Sequence, residues 1–267
     1  MAKYIKNSLR LNSPQMQQIQ TCAAENSIVV VLGFSENHNN SLYISQATIS
    51  AKGELLMTRR KLKATHLERT VFGDANASCL HNVVNTDLGS SGEGHKVGAL
   101  SCWEHIQPLL KYHTYLQNEE IHVAAWPPLD PHPDPASPAL WSMSREGCQS
   151  LSQTFAIEAA AYVLHCTAVI TQAGVDVMQT AQCMMFNRPG GGGSCVIGPD
   201  GRVLTELIPG EQEGMVYAQL DMEVILKTKC FVDCTGHYSR PDLLWLGVDD
   251  REKKHRVVRK EAESDHS

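Results

Sequence analysis

What the chain lacks narrows its class. No stretch approaches the ~18 uninterrupted apolar residues of a membrane helix, and the opening MAKYIKNSLRLNSPQ has no apolar core leading to a small-residue cleavage site. Basic charge is not in surplus: 23 Lys and Arg against 29 Asp and Glu leave a net charge of −6, whereas a phosphate backbone calls for a basic face. No nucleic-acid or membrane partner is expected, and the chain reads as soluble, intracellular and cytoplasmic. The dense cysteine spacing of a secreted disulfide scaffold is also missing. Nine cysteines, an odd number, are spread through apolar segments such as Tyr162–Ala168, so most are expected to be small core residues, with at least one available for chemistry.

With 267 residues, 42% hydrophobic and 19% charged, the chain can bury a sizeable core. Ser13 and Pro14 have the chemistry of a helix start, and Met16, Ile19 and Ala23 recur on one face, predicting a helix to about Asn26. The apolar run Ile28–Leu32, closed by Gly33, predicts a strand covered on both faces. LYISQATIS and ELLMTRRKL, joined at Ala51-Lys52-Gly53, read as a hairpin; SCVIG and RVLTEL around Pro199-Asp200-Gly201 read as a second, followed by a strand in MVYAQLD. HKVGALSC, IHVAAWP and AYVLHCTAVI are further strands, with helices over Pro108–Asn118 and Ser144–Ile157 and a proline-rich loop at PPLDPHPDPASP. Strands alternating with helices imply a layered α+β (α/β) domain over residues 1–248, followed by a charged, solvated tail at 249–267.

Two segments could carry chemistry. Cys102 closes the strand KVGALSC just before Trp103-Glu104-His105 and a helix, a turn where a nucleophile is held clear of the core and main-chain N–H groups face developing negative charge. Its alternative is a buried structural cysteine. Lys61 ends the strand ELLMTRRKL and Glu68 lies seven residues on; a lysine there can stabilise an anionic intermediate, with the carboxylate holding it. The alternative is that Arg59, Arg60, Lys61 and Lys63 form an exposed basic edge that discourages aggregation.

Taken together, RRKLKATHLERTVFGD, GALSCWEHIQPLLKY, IHVAAWPP, GPDG and GHYSRPD follow the order of the nitrilase branch of the carbon–nitrogen hydrolases, which the chain resembles over residues 7–247. The resemblance implies a four-layer αββα sandwich, no metal or organic cofactor, a small nitrile substrate, and homo-oligomers that are dimers or filaments. It makes Cys102 the nucleophile, Lys61 the catalytic lysine, and Glu68 the glutamate supporting lysine and substrate. Hydrolysis would run through a thioimidate and a thioester to carboxylic acid and ammonia; cyanide hydratase and amidase share the same residues, and an inactive assembly partner is the non-enzymatic alternative.

One departure bears on activity. The family carries a general-base glutamate in an FPE-like loop ahead of the lysine, and Glu25, Glu36 and Glu54 have other surroundings. The first residues resemble a part of the family beyond that loop, so the sequence reads as shortened at its N-terminus, with little activity expected. The stretch Ser90-Ser91-Gly92-Glu93-Gly94 is expected to bulge, and Ala64 stands where many relatives place proline.

Around the nucleophile, Trp103, Glu104, His105 and Trp126 are candidate substrate-lining residues, with a structural role the alternative for His105 and core packing for Trp126. Cys230, Cys234 and His237 are spaced C-x3-C-x2-H without a fourth ligand, so no metal is expected. Gly190–Gly193 lacks the strand and Lys-Thr of a P-loop and reads as a flexible connection.

Overall fold

A computed structural model describes residues 1–89, 94–183, 185–251 and 253. The expected bulge at 90–93 and nearly all of the charged tail lie outside them. After a short helix α1 (Ala2–Asn7), α2 (Pro14–Asn26) starts as its sequence dictates: the Ser13 hydroxyl accepts the Met16 N–H at 3.3 Å, and Pro14 fills the first turn. The strands β1 (Val30–His38), β2 (Ser41–Ile49) and β3 (Leu55–Arg60) form an antiparallel sheet in that order. Asn39 and Asn40, both at positive φ, make the two-residue turn between β1 and β2. Gly53 makes the turn into β3: its φ is +82°, and a Cβ there would lie 2.6 Å from the Gln20 carbonyl oxygen.

The second sheet holds β4 (Val83–Thr86), β5 (His95–Ser101), β6 (Ile121–Trp126), β7 (Tyr162–Thr167) and β8 (Cys195–Ile197). β5, β6 and β7 are parallel, and the two flanking strands are antiparallel. The helices α3 (Pro108–Tyr115) and α4 (Arg145–Ala159) make the crossovers between the parallel strands, while α5 (Gln172–Met178) and α6 (Glu223–Phe231) follow later.

Side-chain alternation then defines three apolar interfaces. Met16 and Ala23 of α2 pack on Ile49 with Val30, Leu32 and Phe34. Met57 meets Val97, Ala99, Ile121 and Val123 between the two sheets. Leu100, Ala124 and Val163 pack on Phe155, Ala156 and Leu110 of the outer helices. These interfaces join four layers in the order helix, sheet, sheet, helix, the αββα sandwich.

Several expectations need correction. β1 does not stop at Gly33 and is not covered on both faces: it is an edge strand that runs to His38, because its polar half finds partners, Glu36 among them. The second hairpin shrinks to one bridge, Ile197 to Val203, around the Pro199-Asp200-Gly201 turn, and residues 215–221 join no sheet. The glycine run is not a loose connection: its backbone is buried, and a Cβ on Gly191 would lie 2.3 Å from Pro128. Only Cys79, Cys102, Cys148 and Cys195 are buried, and all nine cysteines are free thiols. Among the described residues no helix is long and apolar enough to cross a membrane.

Candidate active site

The carboxyl ends of β3 and β5, one from each sheet, meet at Arg59-Arg60-Lys61 and Ser101-Cys102. Both ends are fixed by the same local device. Thr65 and Ser101 open short 3-10 turns, His66–Thr70 and Cys102–Ile106, in which the third residue on, Glu68 or Glu104, returns its carboxylate to the opening backbone N–H. These are reciprocal capping boxes. The Thr-x-x-Glu and Ser-x-x-Glu spacings are the sequence signal for both.

Cys102 has φ +55°, in the left-handed region that a side chain adopts at a cost of about 1–2 kcal/mol. The strain turns the chain out of β5 and into the turn, leaving Cys102 8% exposed. Burial pushes its thiol up from 9.0 to about 11, while the nearby Lys61 ammonium and the Trp103 backbone N–H pull the other way; Glu68 and Glu104 push it up. The thiol is therefore protonated at neutral pH, and removing that proton is part of any nucleophilic step.

Lys61 is 2% exposed, so the exposed-edge reading of the basic run does not hold for it. Its Nζ donates to Glu68 Oε2 at 2.6 Å, and the same oxygen accepts the Thr65 N–H at 2.7 Å. Arg59 is 1% exposed and equally far from an edge residue. Its guanidinium forms a two-pronged pair with Glu104, at 2.8 and 2.7 Å, and donates to Gln46 at 2.7 Å. Glu104 also accepts the Leu62 N–H and the Ser101 N–H, each at 2.9 Å. One carboxylate thus ties the residue after Lys61, the residue before Cys102, and a cation of the other sheet. Against its burial, the Arg59 charge and four N–H donors hold Glu104 below the usual carboxylate range.

The structure brings Cys102, Lys61 and Glu68 together. Three of the substrate-lining candidates, Glu104, His105 and Trp126, are turned into the fold. Glu104 has its oxygens occupied within the fold. His105 is fully buried, with Nδ1 against the Cys102 carbonyl at 2.7 Å and Nε2 against His122 at 3.1 Å. Trp126 is a core residue stacked on His105, its indole N–H donating to Ser152. Trp103, half-buried, packs beside that core. Of the earlier glutamates, Glu36 is spent on Arg60, at 2.6 and 2.8 Å, and on Ser45, while Glu25 and Glu54 are exposed. Arg59 had pointed to an exposed edge because its partner Glu104 lies 45 residues on; Glu119 and His122, paired at 2.7 Å, carried no motif that marked them.

The family model for carbon–nitrogen hydrolases matches residues 1–229. The chain is 58% identical over 265 residues to a protein of Macrophomina phaseolina named arylacetonitrilase, spanning 98% of this chain and 77% of that one. A protein of the same name from Aspergillus niger is 60% identical over 252 residues, spanning 94% and 74%. Among solved structures, a carbon–nitrogen hydrolase from Helicobacter pylori superposes with a TM-score of 0.65 at 16% identity, over 81% of this chain and 70% of that one.

Proposed function

The chain belongs to the carbon–nitrogen hydrolase family, on its nitrilase branch, and from that premise we propose that it hydrolyses arylacetonitriles through a covalent adduct on Cys102. The observation that carries this reading is the strained Cys102 closing β5 beside the Lys61–Glu68 pair. Cys102 Sγ adds to the nitrile carbon, its proton leaves, and the nitrogen takes up charge and a proton to give a thioimidate. Lys61 meets that charge as a buried cation, and the Trp103 N–H meets it from the main chain. Water adds to the thioimidate carbon, ammonia departs, and a second water hydrolyses the thioester to the carboxylic acid. Expulsion of the thiolate before ammonia would give the amide instead.

A base must take the thiol proton and then a water proton. Among the described residues, Glu68 and Glu104 are the carboxylates that act on Cys102, and both already accept N–H donors. The reading therefore includes slow turnover, since a positioned base is worth ~10²–10⁴-fold in rate. It also includes self-association: Tyr238, Leu244 and Trp245 expose large apolar side chains near one another in sequence, which supports a homo-oligomer.

Ammonia release from phenylacetonitrile and phenylacetamide, together with formamide formation from cyanide, tests this reading. The expected result is slow release, fastest from phenylacetonitrile and lost in Cys102→Ala. Faster conversion of cyanide to formamide, or faster ammonia release from the amide, overturns the substrate class, and rapid turnover overturns the account of the base.

A further inference from the structure

Behind Cys102 runs a line of buried titratable groups that the hydrolytic steps do not use. Glu119, in the turn before β6, places Oε2 2.7 Å from His122 Nδ1. His122 Nε2 lies 3.1 Å from His105 Nε2, and His105 Nδ1 lies 2.7 Å from the carbonyl oxygen of Cys102. The fold makes room for this line. A Cβ on Gly98 of β5 would sit 1.9 Å from Glu119 Oε2. Phe155 stacks on His122 at 3.8 Å between centroids and Trp126 on His105 at 5.1 Å, which fixes both rings.

The direction of every hydrogen follows from the last acceptor. A carbonyl only accepts, so His105 Nδ1 carries a proton, and in a neutral ring Nε2 then accepts. His122 Nε2 must donate to it, which leaves His122 Nδ1 an acceptor and makes Glu119 Oε2 an O–H donor. Independent facts agree with a neutral Glu119: its other oxygen is buried without a partner, and burial pushes the carboxyl well above its usual range. Burial likewise holds His105 and His122 well below theirs, so both rings stay neutral.

We propose that Glu119, His122 and His105 form a one-way hydrogen-bond relay that polarises the Cys102–Trp103 peptide, strengthening the Trp103 N–H against the Cys102 sulfur and holding the strained backbone there. The carbonyl and N–H of one peptide polarise together, so a donor on the Cys102 oxygen sharpens the Trp103 N–H, and consecutive bonds reinforce each other. The three are positioning residues, and the inference rests on Cys102 being the nucleophile proposed above. The sulfur is also faced by Lys61, Glu68, Glu104 and, on α4, Cys148; His105 is also faced by Glu104 and His165.

The test is the pH dependence of Cys102 alkylation by iodoacetamide in the full chain, read on the peptide containing Cys102, together with kcat and KM for phenylacetonitrile. Glu119→Gln keeps a donor toward His122 and should leave the alkylation midpoint in place. Glu119→Leu has no donor and should raise the midpoint by about 0.5–1 pH unit and lower kcat several-fold at unchanged KM. If Glu119→Leu does not fold, a second pair decides. His105→Asn keeps an N–H on the Cys102 carbonyl but loses the link to His122, so it should raise the midpoint only as far as is expected of Glu119→Leu, whereas His105→Gln loses the donor altogether and should raise it further. Equal midpoints in wild type, Glu119→Leu and His105→Gln overturn the relay, as does an equal shift in Glu119→Gln and Glu119→Leu. Shifted midpoints in a chain that turns over no nitrile would uphold the relay and overturn the proposed substrate alone.

Discussion

Removing Glu104 should destabilise the fold far more than an ordinary substitution. Glu104→Met keeps the volume but leaves the Arg59 guanidinium, 1% exposed, without its counter-charge, and leaves the Leu62 and Ser101 N–H groups without their acceptor. Stranding one partner of a buried pair costs about 3–5 kcal/mol. At ~2.1 cal/mol/K per residue, 267 residues give an unfolding entropy of about 0.56 kcal/mol/K. The melting temperature should therefore fall by ~5–9 °C, measured by circular dichroism at pH 7.5. Adding Arg59→Met removes the stranded charge, so the double variant should melt above Glu104→Met even though it carries one more substitution. A shift below about 2 °C for the single variant, or a double variant that melts lower still, would refute the view that Glu104 is a structural clamp rather than a substrate ligand.

Three further outcomes follow from the same geometry. Lys61→Met should slow Cys102 adduct formation by ~10²-fold or more with little loss of stability, because its partner Glu68 can turn to solvent; stopped-time mass spectrometry reads it. His122 and His165, held down to about 3 and about 4, stay neutral in the fold, so their stabilisation is full above pH 6.5 and is lost as pH falls towards those values. Each should lose about 2 kcal/mol between pH 7.5 and 5. Glu119, raised instead, works in the opposite direction, so Glu119→Gln should steepen the acid loss, and equal pH slopes of melting temperature would contradict a neutral Glu119. Gly53→Ala forces a side chain into positive φ against the Gln20 carbonyl and should lower the melting temperature by ~2–5 °C, or about 1–3 kcal/mol.

The local half of this architecture was legible in the sequence. Ser13-Pro14, the Gly53 turn and the apolar alternation of KVGALS each specify structure with neighbours a few residues away. That Cys102, Lys61 and Glu68 lie together was legible through the resemblance and its motif order. What escaped was non-local. Arg59 looked like an edge charge because its partner, Glu104, is 45 residues on and in the other sheet. The polar half of β1 looked like a loop because a buried Glu36 makes sense only once Arg60 of β3 is beside it. MVYAQLD alternates like a strand, yet alternation cannot say whether a neighbouring strand is there to pair with it. His105 and Trp126 read equally well as pocket or core, and only the packing of α4 against β5, β6 and β7 assigns them to the core.

The nucleophilic role of Cys102 is open to direct trapping. The chain would be mixed with phenylacetonitrile, quenched in acid within seconds, digested and mapped by mass. The account predicts one covalent adduct on the peptide containing Cys102, heavier by one nitrile molecule or by the corresponding acyl group, with the other eight cysteines unmodified. Ammonia release with no adduct on that peptide, or an adduct on Cys79 or Cys148 instead, would contradict it.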